Sequence, residues 1–283
     1  MWAARRGREI GCECLQVFVR SARGWRGRVY PEREVDRFRG LLSQHGTGPV
    51  IAHSCYLVNL ASPQPDLLAR SGAAVADDLR RAALLGGRAV CVHAGNHMGA
   101  GVEAGLRTLA ASVRGLLETG PDGVELLLEN AAGRGREIGG RWQHFARLLE
   151  LLDGDERVGM CFDTCHAHAA GYRLDSPRWV TRSLGEFAAA VGMDRLRLVH
   201  LNDSRYPAGS GRDRHEHLGK GAIGDRGLRA VLRRRDLRGR CAVLETPFDS
   251  PRADAVNIAH ARKLAGRLAG PWRAGGSGVR PRP

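Results

Sequence analysis

Seven short apolar runs, separated by longer amphipathic stretches, limit the folds that this chain can adopt. A run that is apolar throughout is typical of a strand buried on both faces, and such strands joined by helices form parallel sheets. The sequence therefore predicts an α/β fold. The runs lie at 14–19, 50–53, 89–93, 124–129, 159–163, 197–200 and 242–245, and helical patterns lie between them at 32–44, 66–85, 101–117, 141–152, 178–191 and 227–233.

Six of the seven predicted strands end at, or within one residue of, a histidine or an acidic residue. Parallel α/β folds build their functional sites at the carboxyl ends of strands, so we expect these side chains to converge. A ring of such ends fits a TIM-type (β/α)8 barrel better than an open sheet, because an open sheet gathers side chains mainly at one switch point. The six residues are His53, His93, Glu129, Asp163, His200 and Glu245.

The pattern predicts one domain with an incomplete set of strands. A complete barrel of this type has eight strands, whereas the first residues, 1–11, indicate a helix with no strand before it. We expect a single barrel domain over residues 1–269 and a disordered basic tail over residues 270–283. No stretch is apolar enough for a transmembrane helix, and the N-terminus lacks the apolar segment of a secretory signal, so no membrane partner is expected.

Cysteine content and charge indicate a compartment and a class of partner. Seven irregularly spaced cysteines argue against a disulfide framework, so we expect reduced, mostly buried thiols in a cytoplasmic protein. The net charge of +14 comes almost entirely from arginine, which suits bidentate contacts with phosphate. An arginine-rich composition alone gives the same excess, so the charge makes nucleic acid a candidate partner and no more. We expect a monomer.

Three further residues add to the donors at the strand ends, namely His166, Asp213 and His215. Imidazoles and carboxylates together suit zinc and related divalent ions. The combined set of nine exceeds the three or four ligands that one zinc takes, which predicts two or three ions sharing a bridging carboxylate. Such a cluster attracts anions and stabilises both oxygens of a phosphodiester displacement. Each residue alone could be structural, as a helix cap for example, and the prediction depends on their joint occurrence.

These motifs resemble those of the endonuclease IV family, the zinc-dependent apurinic/apyrimidinic endonucleases. The resemblance runs from about residue 9 to about residue 268 and includes Asp163-Thr-Cys-His166, His200-Leu-Asn-Asp203 and Asp213-Arg-His215 in this order. It implies a (β/α)8 barrel with three zinc ions at the carboxyl face. It also implies a hydrolase that cleaves the phosphodiester 5′ to an abasic site in duplex DNA, leaving a 3′-hydroxyl and a 5′-deoxyribose phosphate.

The resemblance also implies how the donors divide among the metals. Glu129 is the catalytic, bridging carboxylate, with a hydroxide between the first two zincs as the nucleophile. The first zinc is held by His53, His93 and Glu129, the second by Glu129, Asp163, His200 and Glu245, and the third by His166, Asp213 and His215.

Loops after the first two predicted strands carry the implied DNA contacts. The family fills the gap left by a displaced nucleotide with side chains, and the matching residues here are Arg23, Trp25, Tyr56 and Leu57. Packing against a helix is the alternative for Tyr56 and Leu57. Other basic residues are candidates for backbone contacts, namely Arg20, Arg26, Arg28, Arg205, Arg212 and Lys220.

Two other functions stay open. A sugar isomerase or epimerase on the same barrel needs one metal and fewer ligands, so the additional histidines and the basic charge disfavour it. An inactive DNA-binding relative is the second, because the chain begins in the helix that follows the family's first strand. An upstream start, a divergent N-terminus or a degraded copy each fit this departure, and the loss of a strand is expected to open the barrel between the second and eighth strands.

Overall fold

The computed structural model describes residues 2–266, in which seven parallel strands form one sheet whose spatial order follows the chain. Each strand pairs with its neighbours in parallel register, and helices cover the outside. The architecture is a nearly closed TIM-type barrel, as the sequence predicts. The strands are β1 (Leu15–Phe18), β2 (Val50–His53), β3 (Ala89–His93), β4 (Glu125–Glu129), β5 (Val158–Asp163), β6 (Leu196–His200) and β9 (Cys241–Val243); β7 (Asp203–Ser204) and β8 (His215–Glu216) form a separate antiparallel pair.

Helices alternate with the strands and bury their apolar faces against the sheet. All six predicted helical patterns correspond to helices, whereas α6, α9 and the β7–β8 pair were not predicted. The helices are α1 (Trp2–Glu9), α2 (Glu32–His45), α3 (Pro65–Leu84), α4 (Val102–Thr119), α5 (Trp142–Leu151), α6 (Thr164–Ala169), α7 (Pro177–Ala190), α8 (Gly224–Leu232) and α9 (Ala253–Ala265), with short 3-10 turns at Met193–Arg195 and Arg235–Leu237.

Two apolar cores lie on the two sides of the sheet. The larger fills the space between strands and helices, and the smaller fills the barrel interior. Because side chains alternate along a strand, the residue two positions before an inward-facing strand end also faces inward. Cys91 therefore lies below His93, and Cys161 below Asp163. The inner core consists of Ile51, Ala89, Cys91, Leu127, Cys161, Leu198 and Cys241.

Side chains join the two outer strands of the barrel. Among residues 2–266, β1 pairs only with β2 and β9 only with β6. Cys14 and Cys241 form a disulfide across this seam, with their Cα atoms 6.3 Å apart, and Gln16 Nε2 donates to Glu245 Oε1 at 2.8 Å. Within this part of the chain, the barrel therefore lacks a backbone ladder at this seam, as expected from the absent strand. The expectation that Cys14 and Cys241 are reduced was wrong, because the curved sheet brings its outer strands side by side.

Two further expectations concern the ends of elements. The last predicted strand was too long: β9 ends at Val243, because the Glu245 N–H donates to Asn202 Oδ1 at 2.7 Å. The predicted tail at 270–283 lies outside the described residues, so the domain limits stay a prediction. In the described part of the chain, the helices are too short or too polar to cross a membrane.

Candidate metal centre

The carboxylate of Glu129 lies at the centre of the strand-end residues. Glu129 is the last residue of β4 and is 1% exposed. Its Oε2 lies 3.0 Å from His53 Nε2 and 3.4 Å from His93 Nε2. Its Oε1 lies 3.2 Å from His200 Nδ1 and 3.1 Å from His166 Nδ1. Each oxygen therefore faces a different pair of imidazoles, which is the arrangement that a carboxylate bridging two cations requires.

The donors fall into three groups in which the possible ligand atoms lie within 4.8 Å of one another. Such spacing allows one cation to contact every donor of a group. The structure thus brings together all nine residues predicted from the sequence, and their use as ligands stays a prediction. The groups are His53, His93 and Glu129; Glu129, Asp163, His200 and Glu245; and His166, Asp213 and His215.

Asp163 has both a structural and a chemical position. Its Oδ1 accepts the backbone N–H of His166 at 2.7 Å, which caps the first turn of α6. Its Oδ2 accepts a hydrogen bond from Asn202 Nδ2 at 2.7 Å and lies 3.6 Å from His215 Nε2. The helix-capping alternative and the ligand alternative are therefore compatible, because the two oxygens face different partners.

Backbone carbonyls orient several of the imidazoles. His53 Nδ1 lies 2.7 Å from the Ser54 carbonyl, and His215 Nδ1 lies 2.9 Å from the Glu245 carbonyl. This contact leaves Nε2 free to act as a ligand, as in many metal sites. The buried Nε2 of His215 lacks a hydrogen-bond partner within residues 2–266 and lies 3.4 Å from Asp213 Oδ1. A buried acceptor of this kind suits a cation.

Opposite charges compensate one another in the centre. Burial would raise the pKa of the Glu129 carboxyl, but the imidazoles of His200 and His93 hold this pKa well below its usual range. Burial is likewise outweighed at Glu245, where His200 lowers the pKa to about 2. Burial would lower the pKa of His166, but Asp163 and other carboxylates raise it well above 6.5. Ligation requires neutral imidazoles and ionised carboxylates, so a bound divalent cation would take over the positive charge that balances these carboxylates.

Three polar residues that the sequence patterns did not single out hold the donors in place. Asn130 Oδ1 accepts the Asp163 N–H at 2.7 Å, and Asn202 spans Asp163 and the Glu245 backbone. Gln16 Oε1 lies 2.8 Å from His200 Nε2. Asn130 and Asn202 were accessible from the sequence, because each lies within two residues of a strand-end donor. Gln16 gave no comparable signal.

A buried carboxylate fixes the loop that follows β8. Asp203 is fully buried and accepts backbone N–H groups at 2.8–3.3 Å. Because β7 begins at Asp203 and pairs with β8, the same residue helps to place His215. The donors are the N–H groups of Ser204, Gly219, Gly221, Ile223 and Gly224.

The predicted DNA contacts lie on two adjacent loops beside the centre. Tyr56 and Leu57 are 54% and 40% exposed, and the Tyr56 N–H donates to the Ala22 carbonyl at 2.9 Å. The Tyr56 ring stacks near that of His93, with centroids 5.8 Å apart. Arg23 is exposed on the neighbouring loop. Helix packing of Tyr56 and Leu57, the alternative, does not account for this exposure.

Two of the predicted DNA contacts in the segment after β1, Trp25 and Arg20, are at least half-buried. Trp25 is half-buried against the larger core, and the Arg70 guanidinium lies 4.5 Å from its ring centre. Arg20 is buried, with Nε 2.6 Å from Asp78 Oδ1 and Nη2 2.9 Å from Asp77 Oδ2. The prediction that Arg20 contacts a DNA backbone was wrong, because its side chain turns inward to acidic residues of α3.

The chain is similar in sequence and fold to known proteins. The family model described as "Xylose isomerase-like TIM barrel" matches residues 4–264. A relative named "Probable endonuclease 4" from Methanoculleus marisnigri is 44% identical over 265 residues, which cover 93% of this chain and 94% of the relative. The crystal structure of endonuclease IV from Thermus thermophilus is 36% identical with a TM-score of 0.82, covering 93% of each chain.

A solved D-tagatose 3-epimerase-like protein also matches, at 17% identity with a TM-score of 0.65, over 89% of each chain. This likeness shows the fold alone. The match to the endonucleases includes high identity over almost the whole length of both proteins. The chain therefore belongs to the endonuclease IV family of the xylose isomerase-like TIM barrels.

Proposed function

We propose that this chain is a zinc-dependent endonuclease that cleaves the phosphodiester 5′ to abasic sites in duplex DNA. The observation that carries the proposal is the grouping of nine donors around Glu129, with the atoms of each group within 4.8 Å. A single-metal sugar epimerase needs only one such group. A site with several adjacent cations suits an anionic diester, and the net charge of +14 suits a long polyanion.

Three zinc ions fit the donor set. His53, His93 and Glu129 would hold the first; Glu129, Asp163, His200 and Glu245 the second; and His166, Asp213 and His215 the third. Imidazole nitrogens and carboxylate oxygens are usual zinc ligands, and the His215 Nε2, without a hydrogen-bond partner among residues 2–266, suits a cation. When bound, zinc supplies a Lewis acid that activates water and neutralises charge on a phosphodiester.

The protein orients the metal-binding side chains and fills the barrel below them. Glu129 Oε1 and Oε2 face different imidazole pairs, so this carboxylate fixes the spacing of the first two groups. Asn202 holds Asp163 Oδ2 on one side and the Glu245 backbone on the other. Below them, buried side chains of the inner core fill the barrel, so a scissile diester would approach from the carboxyl face.

The exposed loops beside the centre account for recognition of damaged DNA. Tyr56 and Leu57 present apolar surface next to His93, and Arg23 lies on the adjacent loop. Side chains inserted between base steps unstack and bend a duplex. Turning a nucleotide out of the stack costs least where the base is absent, which favours an abasic site. Trp25, half-buried beneath this loop, would support Arg23 rather than insert.

The test uses a duplex with one tetrahydrofuran abasic analogue. We expect the purified chain to hold two to three zinc ions by elemental analysis and to nick the strand 5′ to the analogue, leaving a 3′-hydroxyl. EDTA should remove this activity. Resistance to EDTA, equal cleavage of an intact duplex, or turnover of a free ketose would contradict the proposal. We further propose that the chain acts in the cytoplasm, where it would meet its DNA substrate. We also propose that it is a monomer with one domain over residues 1–269.

A further inference from the structure

A second set of possible ligands lies inside the barrel, directly below the candidate metal centre. Cys91 on β3 and Cys161 on β5 are free thiols with 0% and 1% exposure. We call the nine donors of the metal centre the upper layer. Cys91 lies two residues before His93, and Cys161 two residues before Asp163, so each thiol lies one layer below a donor. The proposed endonuclease chemistry uses neither thiol.

These thiols lie close enough to two upper-layer donors to share one ion with them. One donor atom from each of Cys91, Cys161, Glu129 and His200 lies within 4.8 Å of the other three. The Sγ of Cys91 is 3.7 Å from Glu129 Oε2. Two sulfurs, one nitrogen and one oxygen provide the four ligands that a tetrahedral site takes. The neighbouring side chains of the inner core, such as Leu127 and Leu198, are otherwise apolar.

We propose that Cys91, Cys161, Glu129 and His200 form a site for a thiophilic cation, of the class that includes Cd²⁺ and Cu⁺. Thiolate ligands select soft ions, whereas the nine donors of the metal centre are imidazoles and carboxylates. Because the two groups share Glu129 and His200, a cation held by both thiols competes with a cation in the group of Glu129, Asp163, His200 and Glu245. We call Cys91, Cys161, Glu129 and His200 the inner thiol site.

The inference is independent of the reaction at the upper layer. Soft-ion binding at the inner thiol site requires only the four side chains, whether or not the chain cleaves DNA. One competing thiol must be separated from it, since Cys165 lies within 4.8 Å of donors from Asp163 and His215. That group offers one sulfur, whereas the inner thiol site offers two. The number of sulfur ligands therefore distinguishes them.

The experiment titrates the metal-free, full-length chain with Cd²⁺, without reductant, so that the Cys14–Cys241 disulfide stays intact. The readouts are the ultraviolet charge-transfer absorbance of thiolate–cadmium bonds and X-ray absorption at the cadmium edge. We expect the first equivalent of Cd²⁺ to bind with two sulfur neighbours, before the imidazole and carboxylate groups of the metal centre fill. Cys91→Ser and Cys161→Ser should each weaken binding by at least about tenfold, because the loss of a ligand exceeds the cost of losing an outer-shell partner. Cys12→Ser, a thiol outside the barrel interior, should change nothing.

The sulfur count around cadmium in the wild-type chain tests the inner thiol site even if a variant does not fold. At one equivalent of Cd²⁺, a count of no sulfur or one sulfur around cadmium in the wild-type chain would overturn the proposal. So would a charge-transfer band that persists in Cys91→Ser and disappears in Cys165→Ser or Cys14→Ser. Neither readout involves DNA, so failure of the endonuclease proposal leaves this result unaffected, and the reverse also holds.

Discussion

Asp163 Oδ1 accepts the backbone N–H of His166 at 2.7 Å. A helix cap normally bonds the N–H two or three residues onward, so the spacing of this pair is the spacing of a cap. The cap starts α6 in the direction that returns His166 to the side of Glu129, where its Nδ1 lies 3.1 Å from Oε1. Local helix geometry thus places two donors from one short motif in two different groups.

Replacement of the central carboxylate tests the metal assignment. Glu129→Gln keeps the size of the side chain but removes the charge that faces four imidazoles. We expect the rate of abasic-site incision to fall by about 1000-fold, or about 4 kcal/mol of transition-state stabilisation, and bound zinc to fall. Single-turnover kinetics and elemental analysis measure the two effects.

Glu125→Gln is the matched control for that change. Glu125 begins the same strand at the opposite end of the barrel, where Oε2 lies 3.3 Å from Arg197 Nε. Its replacement should leave incision within about twofold, because a partly exposed ion pair contributes at most about 1 kcal/mol to stability. Equal losses in both variants would mean that Glu129 has no special role.

Asp203 holds the loop after β8 in place, so its replacement should mainly lower the free energy of unfolding. In the wild-type chain, several backbone N–H groups share the Asp203 carboxylate. Asp203→Asn replaces one acceptor oxygen by an amide N–H₂, which faces these donors and cannot accept from them. We expect the free energy of unfolding to fall by about 3 kcal/mol, since each buried donor left unpaired costs about 1–3 kcal/mol. Urea denaturation measures the loss. Asp122→Asn, at an exposed position, should change it by less than about 0.5 kcal/mol.

The strand-end donors could be predicted from the sequence because two local rules place them. Alternation along a strand sets the inward face, and the carboxyl ends of parallel strands meet at one edge, which locates His53, His93 and Glu129. Asp213 and His215 lie on a loop and a short strand, where no period operates. Their grouping with His166 was available only from the family resemblance.

Contacts between distant parts of the chain were beyond the sequence. Gln16 reaches Glu245 across 229 positions, and that contact depends on β1 lying beside β9. Arg20 is charged and follows a strand, which indicates exposure, yet its partner Asp78 is 58 residues away. Burial of a charge depends on such a partner, and periodicity does not reveal one.

The metal-free chain should be most stable at mildly acidic pH. Glu245, whose pKa is lowered from 4.5 to about 2, stabilises the fold above 4.5 and ceases to do so as the pH falls toward 2. His166 and His200, whose pKa values are raised, stabilise it below 6.5 and cease to do so as the pH rises through those values. Denaturation across a pH series should therefore show a maximum between 4.5 and 6.5.

With zinc bound, stability should rise rather than fall as the pH increases through the neutral range. The reason is that ligation requires neutral imidazoles and ionised carboxylates. Zinc affinity should rise with pH through the neutral range, with release of protons detectable by calorimetry in buffers of different ionisation enthalpy. A metal-free chain that becomes steadily more stable up to about pH 8 would contradict the charge compensation described for His166 and His200.

The exposed pair at Tyr56 and Leu57 should contribute to binding of damaged DNA rather than to stability. Tyr56→Ala removes a ring that is 54% exposed, so we expect binding to an abasic duplex to weaken about tenfold, or about 1.4 kcal/mol. Fluorescence anisotropy measures the change, and Leu57→Ala should act in the same direction. Val256→Ala, 63% exposed on α9, should leave the affinity unchanged. A fall in unfolding free energy without loss of affinity would assign both side chains to packing.

The seam between β1 and β9 makes the Cys14–Cys241 disulfide a testable source of stability. The bond closes a separation of 227 residues and lies beside Gln16, the residue that contacts both Glu245 and His200. Cys14→Ser should lower the free energy of unfolding by about 2–4 kcal/mol under oxidising conditions, because it frees the unfolded chain from a long loop constraint. Cys12→Ser, two residues away and not bonded, should have little effect. Thiol titration of the denatured, unreduced chain should find five of the seven cysteines free, and a count of seven would contradict the disulfide.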